Sequence, residues 1–237
     1  MDSKEPVRLR NDLMSRFTHD FTLNPQACAF VVVDTQYASA CRTTGLGAVL
    51  EKEGLAHLGK YRFDRIETVV IPAIQKLLTF FRENKLRVMY LTVGSDMHDY
   101  SDLFPHMQKI AKTFNNRAGQ REHEILDEIR PLPDEFVKNK TTTGAFASLH
   151  LDTTLRAMGI TDLIFAGVST DLCVDNTARG ASDLGFNCVM LDDGCATAAQ
   201  DLHDATLKVF QRSLGRVETV DQVIAELTRT LSLPSRS

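Results

Sequence analysis

The chain has 237 residues and a net charge of −4, from 27 Lys and Arg against 31 Asp and Glu; this length suits one α/β domain. Hydrophobic residues make up 43% and charged residues 24%, an ordinary globular mix, and the slight acidity gives no electrostatic footprint for nucleic acid or an anionic membrane. No apolar run approaches the ~20 residues that span a bilayer, and the start from Met1 to Pro6 lacks the basic-then-apolar pattern of a signal peptide, so the expected location is the cytoplasm.

Residues 1–26 are polar, carry Pro6 and Pro25, and read as an arm on a single domain spanning 1–237. Ala27 to Val33 is a continuous apolar run, as expected for a parallel strand buried on both faces. Thr35 to Tyr61 reads as a long connection with four glycines, Gly45, Gly47, Gly54 and Gly59, and connections of that length usually serve function. From Phe63 to Glu83 apolar residues recur at helical spacing, with Pro72 expected to kink that helix or mark a start. Leu86 to Val93 predicts a second strand, residues 94–121 are mixed and polar, and Ile125 to Ile129 reads as a short helix.

Glu135 to Val137 is a brief strand candidate, and Leu151 to Met158 a helix ended by Gly159. Leu163 to Ala166 is a strand, followed by a helical pattern from Leu172 to Leu184. Phe186 to Leu191 is a strand, His203 to Phe210 a helix, Arg216 to Thr219 a short strand, and Asp221 to Leu231 a last helix with Asp221 as cap. Strands and helices alternate, which predicts right-handed βαβ units. The expected fold is a three-layer α/β/α domain with a six-stranded, mostly parallel sheet.

The five cysteines, Cys28, Cys41, Cys173, Cys188 and Cys195, are odd in number and form no CxxC pair. They read as reduced thiols, with Cys28 and Cys188 as buried packing. Cys173 is different, because it sits at a strand-to-helix turn. A helix N-terminus favours a thiolate, the form that attacks carbonyl carbon.

In parallel sheets chemistry collects at the carboxyl ends of strands. Asp34 follows the first strand, Lys140 the short strand near 135–137, and Cys173 the Leu163 strand. Each residue alone has an ordinary reading as a turn former, a solvated lysine (Lys138 has an equal claim on charge) or buried packing. Together, an acid, a cation and a thiol at one sheet edge point to catalysis. Lys140 and the helix dipole are expected to hold Cys173 as thiolate or poise it to ionise. Asp34 can take the thiol proton and pass it to a leaving amine, and backbone N–H groups of the turn before Cys173 can receive an oxyanion.

Four segments carry a family resemblance. Val31-Val32-Val33-Asp34-Thr35-Gln36 resembles an apolar run followed by D-x-Q. Lys140 to Phe146 resembles K-x₄-[GA]-F. Gly167 to Arg179 resembles G-[VI]-x-T-x-x-C-V-x-x-T-x-R, and Leu191-Asp192-Asp193, His203 and Val217-Glu218-Thr219 follow in order. The chain is thereby similar to the cysteine hydrolases of the isochorismatase-like superfamily.

That resemblance implies hydrolysis of a C–N bond in a small amide, carbamoyl or ureido compound, with Asp34, Lys140 and Cys173 catalytic. It selects Lys140 over Lys138 by the spacing to Phe146. It also implies a cis peptide between Val168 and Ser169, with the Ser169 and Cys173 N–H groups as oxyanion site. Gln36, Tyr37 and Phe146 are candidate substrate contacts. No cofactor is expected, and the resemblance implies a homodimer or homotetramer.

Nicotinamidases of this superfamily hold a divalent metal after the second strand. Here Gly94 falls where the metal-binding aspartate of D-x-H is expected, and Asp96, His98 and His106 lie nearby; the metal expectation is none. Three readings compete: a metal-assisted nicotinamidase type, a vinyl-ether hydrolase, which needs the acid but not the thiol, and a non-catalytic interaction module. Gly45-Leu46-Gly47 lacks the third glycine of a dinucleotide fingerprint, which removes a nucleotide-dependent oxidoreductase.

Overall fold

Alternation of side chains between two covered faces organises the sheet. In the computed structural model, which describes residues 19–232, the strands are β1 (Cys28–Val33), β2 (Arg87–Val93), β3 (Phe136–Lys140), β4 (Asp162–Val168), β5 (Asn187–Ala196) and β6 (Arg216–Glu218). They lie in the order β3-β2-β1-β4-β5-β6, and every neighbouring pair is parallel. The helices are α1 (Tyr37–Ala40), α2 (Gly45–Lys52), α3 (Lys60–Arg65), α4 (Ile71–Glu83), α5 (Pro105–Thr113), α6 (Ala145–Ser148), α7 (Leu151–Ala157), α8 (Asp175–Asp183), α9 (Gln200–Ser213) and α10 (Val220–Leu231).

Every position of β1 and β4 is buried, because helices cover both faces. Phe30 and Val32 point into a core with Leu77 and Phe81 of α4 and Val223 and Leu227 of α10. Val31 and Val33 point the other way, into a core with Leu155 of α7, Ala178 of α8 and Phe210 of α9. The three-layer α/β/α reading therefore holds, with a sheet that is parallel throughout.

Local differences from the sequence reading have physical causes. The Thr35–Tyr61 connection is not irregular but contains α1, α2, a 3₁₀ turn at Ala56–Gly59 and the start of α3. The helix read from Phe63 to Glu83 is split by a π turn at Ile66–Val70, with Pro72 in the first turn of α4, where a missing N–H costs nothing. The segment 94–121 contains α5, and the expected helix at 125–129 is a 3₁₀ turn, Asp127–Ile129. The last helix is capped by Thr219 rather than Asp221: the Thr219 side chain accepts from Gln222 N–H, and the Gln222 side chain returns to Thr219 N–H.

Residues 1–18 of the expected arm lie outside the described residues. Its end is tied down, since Leu23 N–H donates to Glu226 Oε1 at 2.8 Å and Asn24 N–H to Asp162 Oδ2 at 2.7 Å.

Strand order reverses between β1 and β4, so the loops leaving them diverge and open a crevice at the carboxyl edge. Register brings three chain positions to that edge: Val33 pairs with Leu91 and Gly167, and Val93 pairs with Lys140. Gly167 has φ of +123°, and a Cβ there would lie 1.9 Å from Val33 O. Glycine is thus what lets β4 run against β1 beside the site.

Candidate active site

Asp34 is the first residue beyond β1, with φ of +48°, the left-handed conformation that aspartate tolerates better than most side chains. Lys140 is the last residue of β3 rather than a residue past it, because β3 runs to Lys140. Lys140 is 0% exposed and Asp34 1%. Lys140 Nζ donates to Asp34 Oδ2 at 2.7 Å and to Thr142 O at 3.1 Å. The remaining carboxylate oxygen, Asp34 Oδ1, is buried and accepts no hydrogen bond of full geometry. Cys173 lies close enough to act electrostatically on both the aspartate and the lysine. The structure thus brings Asp34, Lys140 and Cys173 together.

The electrostatics follow from burial. Desolvation pushes the Asp34 carboxyl above the usual aspartate range, against the opposing charge of Lys140. Burial works to lower Lys140, but the Asp34 carboxylate and Cys173 outweigh it and hold the ammonium above its ordinary value. Desolvation and then the Asp34 charge push the Cys173 thiol up. Of the two expected states, a held thiolate or a thiol poised to ionise, this upward shift favours the second. The helix dipole and Lys140 favour a thiolate, but Cys173 is only 8% exposed, and removing a thiolate from water beside a carboxylate costs more. Burial therefore works against the thiolate form of Cys173 beside Asp34.

Cys173 lies in a π turn, Thr170–Val174, that opens α8. The Val168–Ser169 peptide before it is cis. Ser169 O accepts from Leu172 N–H at 3.0 Å and Val174 N–H at 3.2 Å. Thr177 Oγ1 donates to Cys173 O at 2.7 Å and accepts from Ala145 N–H at 3.2 Å. One hydroxyl therefore joins the cysteine turn to the loop that follows Lys140. Beneath the turn, fully buried His203 bonds Thr170 Oγ1 through Nδ1 at 2.9 Å and Asp192 Oδ1 through Nε2 at 2.9 Å.

The three candidate substrate contacts have fold-internal partners. Gln36 is 0% exposed; its Oε1 accepts from Val93 N–H at 2.9 Å and its Nε2 donates to His123 O at 2.7 Å. The Tyr37 hydroxyl accepts from Arg121 Nη2 at 2.6 Å and Asp127 N–H at 3.3 Å. Phe146 packs on Phe186 with ring centroids 6.2 Å apart.

The donor set for a metal after β2 does not fit. Beside Gly94 the space is taken by His123, whose Nδ1 a Cβ at that glycine would approach at 2.6 Å, and that nitrogen is already bonded to Asn116 Oδ1 at 2.8 Å. Asp96 Oδ1 accepts from Asn139 at 2.9 Å, and His98 and His106 are exposed. Among the described residues no group of three His, Cys, Asp or Glu could hold a metal ion.

Sequence reasoning missed Arg62. It is buried, donates from Nε to Ser39 O at 3.0 Å and from Nη1 to Ser169 Oγ at 2.8 Å. A signal was present: Arg62 precedes Ile66 by four and Val70 by eight, which puts a guanidinium on an apolar helical stripe.

Comparison with known proteins agrees with this architecture. The Isochorismatase domain matches residues 65–222. A ureidoacrylate amidohydrolase of Rhizobium rhizogenes is 29% identical over 224 residues, covering 88% of this chain and 86% of that protein. The crystal structure of a cysteine hydrolase from Pseudomonas syringae pv. phaseolicola superposes with a TM-score of 0.73 at 22% identity, over 89% of this chain and 97% of that one. N-carbamoylsarcosine amidase from Thermoplasma acidophilum gives 0.61 at 23% identity, over 82% and 97%. With the fold shared across these chains and the domain spanning most of this one, the protein belongs to the isochorismatase family.

Proposed function

We propose that this chain is a cysteine-dependent amidohydrolase that cleaves a C–N bond of a small amide, carbamoyl or ureido compound through a thioester on Cys173. The observation that carries the reading is the buried Lys140–Asp34 pair at 2.7 Å, with Asp34 Oδ1 free to receive the proton of the Cys173 thiol. The amidohydrolase names of relatives across most of the chain support the bond class.

In the proposed reaction Asp34 takes the thiol proton as sulfur attacks the carbonyl carbon. The Ser169 and Cys173 N–H groups hold the oxyanion, an effect worth about 3 kcal/mol per donor. Protonated Asp34 gives its proton to the leaving nitrogen, which departs as ammonia or an amine. Asp34 then deprotonates water, and hydroxide cleaves the thioester to release the acid and restore the thiol. Lys140 keeps its charge throughout and offsets the charge that moves between Asp34 and sulfur. A raised carboxylate pKa suits this double use, since a base too weak to hold a proton cannot relay one. On this reading the chain acts on small molecules in the cytoplasm as a homo-oligomer.

Ammonia release from nicotinamide, biuret, maleamate, N-carbamoyl amino acids and ureidoacrylate-like compounds, each with and without a chelator, tests the reading. Turnover of at least one carbamoyl, ureido or amide compound that survives chelation is expected. Chelator-sensitive turnover of nicotinamide favours the metal-assisted type, and hydrolysis of a vinyl ether alone overturns the thioester scheme.

The pH dependence has a definite sign. The active form pairs ionised Asp34 with a protonated thiol, so kcat/KM falls as pH drops through a limb above the ordinary aspartate range. It does not rise through the ordinary thiol range, because Cys173 is shifted upward. Both limbs belong to the coupled trio. A profile that climbs through the usual thiol range shows instead that a thiolate forms without Asp34.

A further inference from the structure

We infer that Arg62 is the anchor for a carboxylate on the substrate, so that the preferred substrates are anionic amides or ureides. The inference rests on the amidohydrolase reading and adds the substrate's charge and the residue that meets it.

A guanidinium taken out of water needs an anion or a full set of acceptors. Three other partly buried arginines of this fold have one: Arg65 meets Asp192 at 3.2 Å, Arg82 meets Glu135 at 2.9 Å and Arg216 meets Glu226 at 2.6 Å. Arg62 is only 6% exposed, yet among the described residues no carboxylate forms an ion pair with it. Its two hydrogen bonds go to a neutral carbonyl and a neutral hydroxyl, and neither uses Nη2. Burial pulls the guanidinium down to about 10, with the charge of Asp171 opposing.

Its placement indicates where the partner comes from. The hydroxyl it binds belongs to Ser169, the residue whose N–H is assigned to the oxyanion. The carbonyl it binds belongs to Ser39, whose own hydroxyl donates to Asp34 O at 3.0 Å. Arg62 therefore spans the two loops that carry the acid and the nucleophile. A planar fork in that position matches a carboxylate bidentately.

The test compares each acid with its neutral carboxamide isostere: N-carbamoylglycine, N-carbamoyl-β-alanine and maleamate. For at least one acid, Arg62→Gln is expected to lower kcat/KM by about 100-fold, chiefly through KM. The neutral isostere should change less than threefold. Arg62→Lys should fall between, because it keeps charge but loses the fork. A structural role moves acid and isostere equally, and that result overturns the inference.

Calorimetric binding of the same acids to Cys173→Ala, with and without Arg62→Gln, separates the two readings. Arg62-dependent binding without turnover in the unmodified chain sustains the anchor and sinks the amidohydrolase scheme. Turnover with binding indifferent to Arg62 does the reverse. Should Arg62→Gln fail to fold, the Arg62-intact protein still decides, since equal affinity for acid and isostere overturns the anchor.

Discussion

Replacing Cys173 with alanine is expected to lower turnover of every C–N substrate by about 10⁴-fold or more, the scale seen when a nucleophile is removed from a coupled catalytic group. The fold should survive. Cys173 is a small side chain in a well-packed turn, and its truncation costs about 1 kcal/mol, while the turn keeps the Thr177 and Ser169 bonds that shape it. Circular dichroism and thermal melting would check the fold, and ammonia release the activity. Serine should rescue little, because a hydroxyl is far harder to ionise than a thiol. Mass spectrometry of acid-quenched turnover should find an acyl adduct on the unmodified chain and none on either variant. Undiminished hydrolysis by Cys173→Ala removes the thiol from the mechanism and leaves a vinyl-ether or water-activating reading of Asp34.

The second large effect concerns stability and activity together. Lys140→Met is expected to abolish turnover and to destabilise the fold by about 3–5 kcal/mol, because it leaves Asp34 charged, buried and unpaired. Lys140 and Asp34 side chains are 0% and 2% exposed, so water cannot take the place of the missing partner. Asp34→Asn on its own leaves Lys140 in the same position. The double variant Asp34→Asn with Lys140→Met should therefore be more stable than Lys140→Met alone, since removing both charges ends the desolvation cost. Urea unfolding of the four proteins measures this coupling. Additive losses show that the pair does not interact and that proximity alone explains the contact. Activity should be absent from all three variants whatever their stability, which separates the catalytic role of the pair from its structural one.

Much of the site was legible because its residues carry local signals. Asp34 follows an uninterrupted apolar run, Lys140 precedes Phe146 by six positions, and Cys173 follows a strand and a glycine. Alternation of strands and helices gave the layers and the carboxyl edge. Other features left no such trace. The end of β3 at Lys140, the extension of β5 to Ala196 and the π turns at 66–70 and 170–174 are set by packing against neighbours distant in sequence. Helical order inside the 37–61 connection was hidden because its glycines read as turns, whereas two of them, Gly45 and Gly47, allow close approach to Ala38 and Arg42 backbone.

What the sequence by itself determined is the list of reactive groups and their order on a parallel sheet. Strand periodicity and the spacing of short motifs are local properties, and each residue carries them wherever the chain folds. What only the tertiary structure decided is how burial shifts those groups and the company they keep. Desolvation depends on atoms supplied by every element packed around the site. Burial pushes the Cys173 thiol up, and tertiary packing closes Gln36 into bonds with Val93 and His123 and brings Arg62, just beyond the connection, to the hydroxyl of Ser169.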